Sequence, residues 1–258
     1  MARSSFYYHL KVSKQADKYE VIKTKICEIY HKHLGRYGYR RITLELKRLG
    51  HWINHKTVRR LMNQLGLKSL IRVKKYKSYK GQYGKIAPNL IARDFKATTI
   101  HQKWVTDVTE FKVAGKKLYL SPIMDLFNRE IISYKISETP NFSQVVDMLK
   151  GAFKKLPNTS NLILHSDQGW QYQMPMYRLL LKNKNITQSM SRKGNCLDNA
   201  VIENFFGTLK SELFYLKKYK TIQELKNDIK NYICYYNNER ISLVLNGMSP
   251  IQYRAHLN

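Results

Sequence analysis

The chain contains 258 residues, 43% of them apolar and 12% aromatic, which excludes a disordered protein and allows one or two domains with a core. The formal net charge of +28, from 46 lysines and arginines against 18 acidic residues, favours a polyanionic partner, nucleic acid before an anionic membrane. No apolar run is long enough for a transmembrane helix, and the N-terminal segment lacks the apolar region of a secretory signal, so we expect a cytoplasmic protein associated with DNA.

Three cysteines lie far apart in the sequence, which argues against a disulfide framework. Cys27 is followed by His31 and His33, but no second pair of ligands follows at zinc-finger spacing. We therefore expect a buried thiol beside two solvated histidines on a helix rather than a zinc site.

Residues 1–67 are predicted to form a small all-helical domain. Apolar side chains recur at helical spacing, and Asn54 is placed to cap the third helix. The predicted helices are 19–34, 43–49 and 55–66. Gly50 ends the second helix just before the third, which is typical of a helix-turn-helix, although a helical bundle with a charged surface has the same pattern. The outward-facing residues of the third helix that we predict to contact DNA are Lys56, Arg59 and Arg60.

Residues 68–98 are predicted to be a basic, tyrosine-rich linker. Its first part, 68–85, holds seven lysines and arginines, no acidic residue and three tyrosines, so that cations can contact phosphates while rings stack on exposed bases. A solvated linker with no binding role is the alternative. The predicted DNA contacts in this segment are Arg72, Lys74, Lys75 and Lys77.

Residues 99–258 are predicted to form an α/β domain in which helices flank a mixed sheet. Three strands separated by turns come first and indicate an antiparallel meander. The predicted strands are 104–113, 116–127, 129–137, 162–167 and 186–191. The predicted helices are 141–156, 175–184, 198–219 and 221–238.

Three carboxylates in this domain need an explanation, because acidic residues are scarce and burying an unpaired carboxylate is costly. Asp107 is predicted in the middle of the first strand, Asp167 at the end of the fourth, and Glu203 on the helix that follows. Two hard cations would compensate these charges, and pairs of metal ions activate attack on phosphodiesters. The spacing therefore indicates a polynucleotidyl-transferase site.

Two further polar residues share the predicted helix face of Glu203. At about 100° per residue, Lys210 lies about 20° and Asn199 about 40° from Glu203, which makes both candidate DNA contacts. A solvated, charged helix face is the alternative for this stripe.

The remaining carboxylates have simpler explanations. Asp198 precedes the helix and is predicted to be its N-cap, Asp125 is predicted in a turn or on the surface, and Glu212 is predicted to pair with a lysine. No nucleophile-elbow or phosphate-loop motif occurs, so serine hydrolysis and nucleotide-dependent chemistry have no visible site.

Six sequence blocks occur in the order of a known family. Over residues 20–258 the chain resembles the second-reading-frame transposases of IS-three group bacterial insertion sequences, which are relatives of retroviral integrase. The blocks are HLGRYGYRRI, INHKTVRRLM, WVTDVTEF, HSDQGWQY, DNAVIENFFGTLKSEL and YYNNERISLVLNGMSPIQYR. The resemblance implies a ribonuclease-H-like core whose catalytic and metal-binding triad is Asp107, Asp167 and Glu203, with Lys210 as the basic residue two turns after the glutamate.

The family's chemistry implies two Mg²⁺ (or Mn²⁺) ions that activate water to nick the element end in double-stranded DNA. The freed 3′-hydroxyl then attacks a second phosphodiester. The resemblance also implies a homo-oligomer on DNA, and fusion to or association with an upstream-frame protein that carries a helix-turn-helix and a leucine zipper. A DNA-binding regulator from a decayed element, and a ribonuclease-H-like nuclease that does not join strands, are the two alternatives.

The chain departs from its relatives in two places. The zinc-binding N-terminal domain of retroviral integrases is absent, and the helical module takes its position. The segment YNNERIS differs from the family's frequent YNNERPH, which leaves the contacts of this tail open.

Overall fold

The computed structural model divides into two compact units, Met1–Ile71 and Arg72–Asn258, each with its own buried core. The residues that it describes are Arg3, Tyr7, 17–70, 86–156, 161–192 and 195–257. In those ranges no helix is both long and apolar enough to cross a membrane.

The described part of the first unit is helical, in the order predicted for a helix-turn-helix. Its helices are α1 (Glu20–Lys32), α2 (Tyr39–Arg48) and α3 (His55–Gln64). Asn54 caps α3 as predicted, because its side-chain oxygen accepts the backbone N–H of Lys56 at 2.8 Å. The predicted start of α2 at Thr43 was wrong, because Gly38 is extended and the helix begins directly after it, at Tyr39.

The core of the first unit is formed by one apolar stripe from each helix. Its fully buried members include Ile26, Ile42, Leu46, Val58 and Leu61. The predicted solvation of His33 and burial of Cys27 were wrong: Cys27 is half-buried, whereas His33 is buried and stacks on Tyr37, with the ring centroids 3.8 Å apart. Burial lowers the pKa of His33 to about 4, so this histidine is neutral at physiological pH.

The described residues of the second unit form a mixed sheet, as predicted, but with six strands where five were expected. The strands are β1 (Lys103–Thr106), β2 (Thr109–Val113), β3 (Lys116–Asp125), β4 (Ile131–Ser137), β5 (Ile163–Ser166) and β6 (Thr187–Met190). The sheet order is β2-β3-β1-β5-β6, with β4 also paired to β3. β3 pairs antiparallel with β1, β2 and β4, whereas β5 pairs parallel with β1 and β6.

The predicted strand 104–113 is interrupted at Asp107, so the expectation that Asp107 lies in the middle of an unbroken strand was wrong. β1 and β2 keep the same antiparallel register against β3. This register places Pro122 opposite Asp107, and a proline has no N–H to donate to the ladder. At the interruption the Asp107 carboxylate accepts the N–H of Val108 at 2.7 Å.

Helices cover both faces of the sheet. They are α4 (Phe142–Phe153), α5 (Pro175–Lys182), α6 (Ala200–Glu212), α7 (Ile222–Asn238) and α8 (Pro250–Leu257). Successive residues of β1 enter different cores: Trp104 packs with α4 and α5, whereas Val105 packs with α6 and α7. α6 ends at Glu212 and not at the predicted residue 219, because Leu213 leaves the helical region with φ −133° and ψ −67°.

A buried ion pair joins the end of α6 to the end of α7. Arg240 donates from Nη2 to Oε1 of Glu212 at 2.7 Å and from Nε to Oε2 at 2.8 Å. The Tyr232 hydroxyl donates to Oε2 of the same carboxylate at 2.8 Å. The predicted lysine partner of Glu212 was therefore wrong, since its partner is an arginine far along the sequence.

Residues 86–98, which the sequence assigns to the linker, pack on the second unit. Ile91 is buried in the same apolar cluster as Val105, and Phe95 and Ala97 pack against that cluster. This segment therefore contributes to the core that supports the sheet.

Candidate active site

Asp107 and Asp167 emerge side by side at one edge of the sheet. β1 and β5 are parallel neighbours, with Val105 opposite His165. The same register places Asp107 opposite Asp167, each directly after the last residue of its strand. The carboxyl ends of adjacent parallel strands are the edge where α/β sheets bind ligands.

α6 brings Glu203 to the same edge. Just before this helix, Asn199 donates from Nδ2 to the carbonyl oxygen of Thr106 at 3.4 Å, which ties the start of α6 to the end of β1. The buried apolar face of α6 consists of Ile202, Phe205, Phe206 and Leu209. Glu203 itself lies in the first turn of the helix and is half-buried.

The pKa of each of the three carboxylates is raised. Burial raises the pKa of Asp107 well above its usual range, and the negative charges of Asp167 and Glu203 raise it further. Burial also raises the pKa of Asp167, although the Gly169 N–H donates to its Oδ1 at 2.9 Å. The pKa of Glu203 is raised by burial and by the charge of Asp167. Negative charge is thus under-compensated at this edge.

Among the described residues of the second unit, the buried carboxylate of Asp125 accepts three N–H groups, and three other buried carboxylates have arginine partners. These are Glu130, Asp198 and Glu212. In the described part of the chain, Asp107 and Asp167 each accept one backbone N–H, and Glu203 accepts no hydrogen bond. In so basic a chain, three neighbouring carboxylates whose pKa values are all raised mark a place for an external cation.

The donor set suits a hard divalent cation. Carboxylate oxygens are the protein ligands that Mg²⁺ and Mn²⁺ prefer, and added positive charge would relieve the repulsion that raises these pKa values. Among the described residues, no three His, Cys, Asp or Glu side chains are already arranged to hold a metal ion. The carboxylates are therefore neighbours rather than a ready-made metal cage.

Of the two residues predicted beside Glu203, Lys210 is half-buried and Asn199 is buried. Its Nζ lies 5.2 Å from the centroid of the Phe111 ring, and its charge opposes the rise in the pKa of Asp107. Asn199 is only 2% exposed and bonds to Thr106. The predicted DNA contact of Asn199 conflicts with this burial. Its hydrogen bond to Thr106 instead fixes the start of α6 relative to β1.

Two other carboxylates differ from their predicted roles. Asp198 does not cap α6: the N-cap residue is Asn199, and Asp198 pairs with Arg93 and Arg192 instead. Asp125 does begin a turn, but it is buried and not on the surface. It accepts three N–H groups, which satisfies its carboxylate without a metal ion.

The basic residues predicted on α3 are exposed. Lys56, Arg59 and Arg60 line a concave surface of about 670 Å³ together with Tyr39 and His55. The Arg59 guanidinium lies 5.8 Å from the centroid of the Tyr39 ring, a contact that holds it along this surface. The other predicted contacts lie outside the described residues: Arg72, Lys74, Lys75 and Lys77.

Sequence models of known families cover most of the chain. Two models described as an integrase core domain match residues 97–196 and 203–257. A model described as an HTH-like domain matches residues 16–75.

Relatives from insertion sequences match almost the full chain. InsK of insertion sequence element IS150 from Escherichia coli (strain K12) is 60% identical over 98% of this chain and 89% of its own length. The transposase for IS904 from Lactococcus lactis (strain IL1403) is 36% identical over 96% of this chain and 99% of its own. Transposase InsF for IS3A from Escherichia coli (strain K12) is 31% identical over 98% of this chain and 90% of its own. The chain belongs to the IS-three group of insertion-sequence transposases.

The second unit of this transposase has the integrase catalytic core fold. The HTLV-2 integrase catalytic core domain, in complex with magnesium and in its trimeric form, aligns over 61% of this chain and 99% of its own, with a TM-score of 0.50 and 18% identity. A chain of the simian T-cell lymphotropic virus intasome aligns over 88% of this chain and 73% of its own, with a TM-score of 0.51 and 14% identity. At such identities the likeness concerns the fold, and it confirms the predicted ribonuclease-H-like sheet.

Sequence reasoning missed residues of the transposase that support this edge. Tyr172, in the HSDQGWQY block, is fully buried, and its pKa is raised by burial and by the charges of Asp107 and Asp167. Arg93 and Arg192 were also missed. In a chain so rich in arginine, nothing in the local sequence distinguishes them.

Proposed function

We propose that this transposase nicks the ends of an insertion sequence and joins the freed 3′-hydroxyl to a second DNA site, with Asp107, Asp167 and Glu203 as the catalytic residues. The observation that carries the proposal is the meeting of three under-compensated carboxylates at one sheet edge of a chain with a net charge of +28. Its insertion-sequence relatives and integrase core fold support the same class of reaction.

The three carboxylates would hold two Mg²⁺ (or Mn²⁺) ions. When bound, such ions lower the pKa of the attacking water or hydroxyl and stabilise the leaving oxygen. The magnesium of the HTLV-2 integrase core supports the choice of ion. Backbone N–H groups of Val108 and Gly169 orient Asp107 and Asp167 by binding Oδ1 of each, which leaves Oδ2 of each carboxylate for the ions.

The reaction needs no covalent bond between protein and DNA. In the first step water attacks phosphorus, the bond to the 3′-oxygen breaks, and that oxygen takes a proton. In the second step the new 3′-hydroxyl attacks a phosphorus of the other DNA site and displaces a 3′-oxygen there. Each step forms one phosphorus–oxygen bond and breaks one, so the same three carboxylates can serve both. Lys210, beside the carboxylates, would bind a phosphate of the strand being cut.

The helical unit and the linker would hold the duplex. The exposed cations of α3 lie on a concave surface with aromatic rings, which suits contacts to phosphates and base edges. The residues that we assign to DNA are Lys56, Arg59, Arg60, Arg72, Lys74, Lys75 and Lys77. Because strand joining requires two DNA sites at once, we also propose a homo-oligomer on DNA, fused to or associated with an upstream-frame helix-turn-helix protein with a leucine zipper.

The products of a strand-cleavage assay separate this function from its alternatives. A labelled duplex that carries the end of the parent element is incubated with the chain and Mg²⁺, both alone and fused to its upstream-frame protein. We expect nicked and strand-joined products from the wild type and neither from Asp167→Asn. Nicking without joining would indicate a nuclease, and binding unaffected by the substitution would indicate a regulator. Full activity of Asp167→Asn would refute the metal-site assignment.

A further inference from the structure

Asp198 is the centre of a buried hydrogen-bond network beside the catalytic edge. Its side chain is 0% exposed, whereas those of Arg93 and Arg192 are 45% and 58% exposed. Arg192 donates to both carboxylate oxygens at 2.9 Å, from Nη2 to Oδ1 and from Nε to Oδ2. Arg93 Nε donates to Oδ1 at 3.0 Å, and Asn89 Nδ2 donates to Oδ2 at 2.9 Å. Such a bidentate, charge-assisted arrangement fixes direction as well as distance.

The network ties the segment 87–93 to the catalytic unit. The Leu90 N–H donates to Ser189 Oγ on β6 at 2.9 Å. Arg93 has a φ of +69°, a left-handed backbone that residues other than glycine rarely adopt.

A first link runs from Asp198 to the strand that carries Asp167. The ring of His165 is buried, and its Nε2 donates to the Asp198 carbonyl oxygen at 2.9 Å. Its Nδ1 lies 2.8 Å from Ser189 Oγ, so both ring nitrogens are fixed. His165 precedes Asp167 by two residues on β5.

A second link runs from Asp198 to the other two carboxylates. Asn199, the next residue, donates to the carbonyl oxygen of Thr106, the residue before Asp107. α6 begins directly after Asn199 and carries Glu203 in its first turn. Asp198 is therefore connected to all three segments that carry the carboxylates: to β5 by its own carbonyl oxygen, and to β1 and α6 through the next residue, Asn199.

We propose that Asp198 is a positioning residue, which through Arg93 and Arg192 sets the spacing of the three catalytic carboxylates and thereby their affinity for divalent metal. This inference rests on the proposed function of those carboxylates. Partners that orient metal ligands typically change metal affinity or activity by about 10- to 100-fold. A purely structural ion pair would stabilise the fold and leave metal affinity unchanged.

The test is Asp198→Asn in the full chain, with Mn²⁺ alone as the probe. Electron paramagnetic resonance gives the Mn²⁺ affinity, and cleavage of element-end duplex gives kcat and KM. We expect Mn²⁺ affinity and kcat each to fall by about 10- to 100-fold while the KM for DNA is unchanged. Thermal unfolding of each variant ensures that all measurements are made on folded protein.

A matched control lies at the other end of α6. Glu212 is also a buried carboxylate paired with an arginine, and in the described residues it accepts hydrogen bonds from Arg240 and Tyr232, at the end of α6 opposite to Glu203. We expect Glu212→Gln to lower the unfolding midpoint and to leave the Mn²⁺ affinity at the wild-type value. Equal losses of Mn²⁺ affinity in Asp198→Asn and Glu212→Gln would reduce Asp198 to a structural role and overturn the proposal.

A milder variant guards against misfolding of Asp198→Asn. Arg93→Gly removes one guanidinium at a position whose positive φ suits glycine. We expect weaker Mn²⁺ binding than in wild type, with part of the affinity recovered in Arg93→Lys, which keeps the charge. Wild-type Mn²⁺ affinity in both folded Asp198→Asn and Arg93→Gly would overturn the proposal. In that case the activity of Asp167→Asn separates two explanations. If Asp167→Asn cleaves DNA, the catalytic triad itself is misassigned; if Asp167→Asn is inactive, the triad stands and only the positioning role of Asp198 fails.

Discussion

Asp107→Asn is expected to lower the rate of DNA cleavage by about 10³-fold or more and, without divalent metal, to make the chain more stable at neutral pH. Activity falls because the substitution removes a charged metal ligand. Stability rises because asparagine keeps the shape of the carboxylate without the charge that burial and two neighbouring carboxylates disfavour. Cleavage kinetics and thermal unfolding in a chelating buffer measure the two effects.

The pH dependence of stability is an independent test of whether the charge of Asp107 destabilises the fold. The folded pKa of Asp107 lies well above its unfolded value of about 4, so the folded state binds the proton more tightly. The contribution of protonated Asp107 to stability is full below pH about 4 and is lost as pH rises through the folded pKa. We therefore expect the stability of the wild type, relative to Asp107→Asn, to decline with rising pH. Mg²⁺ should stabilise the wild type and not the variant.

Asp94 provides the control for this effect. It is an exposed aspartate whose pKa is lowered, mainly by its hydrogen bond with Lys103. Asp94→Asn should therefore leave stability at neutral pH unchanged or slightly reduced, and Mg²⁺ should act on it as on the wild type. A stability gain in Asp94→Asn equal to that in Asp107→Asn would mean that general charge, and not the site, is responsible.

Arg240→Met is expected to reduce the free energy of unfolding by about 3–5 kcal/mol, the scale for a buried ion pair that loses one member. The substitution leaves Glu212 charged and buried between α6 and α7, while the Tyr232 hydroxyl still donates to it. Chemical denaturation at neutral pH measures the loss. Arg240 belongs to the YNNER block, whose contacts the sequence left open, and in the structure it pairs with Glu212.

Two variants test the origin of this loss. The double variant Arg240→Met/Glu212→Gln removes both charges and should recover most of the stability. Arg254→Met breaks the ion pair with Glu130, whose arginine is more exposed, and should cost less. A double variant no more stable than Arg240→Met would show that packing of the arginine stem, and not the uncompensated carboxylate, accounts for the loss.

Local signals in the sequence predicted the elements that local chemistry determines. Asn54 and Asn141 sit at helix starts and their side chains accept backbone N–H groups there. The apolar stretch before Asp167 correctly predicted a buried strand that delivers this carboxylate to the sheet edge. The scarcity of acidic residues in a basic chain was enough to single out the three carboxylates.

The features that the sequence could not predict depend on contacts between residues from different segments of the chain. The interruption at Asp107 depends on Pro122, which the strand register places opposite it. The role of Asp198 depends on Arg93, which is 105 residues away in the sequence. By local rules, an aspartate before a helix predicts an N-cap. Only the folded chain shows that Asp198 forms ion pairs with two arginines instead.

The central claim, that carboxylates from three separate segments share one metal site, is tested most directly by iron-directed cleavage of the chain. Fe²⁺ replaces Mg²⁺, and hydroxyl radicals generated with ascorbate and peroxide cut the polypeptide close to the bound ion. We predict cuts near Asp107, Asp167 and Glu203 that excess Mg²⁺ suppresses and that disappear in Asp167→Asn. Cuts confined to other segments, or an unchanged pattern in Asp167→Asn, would contradict the account.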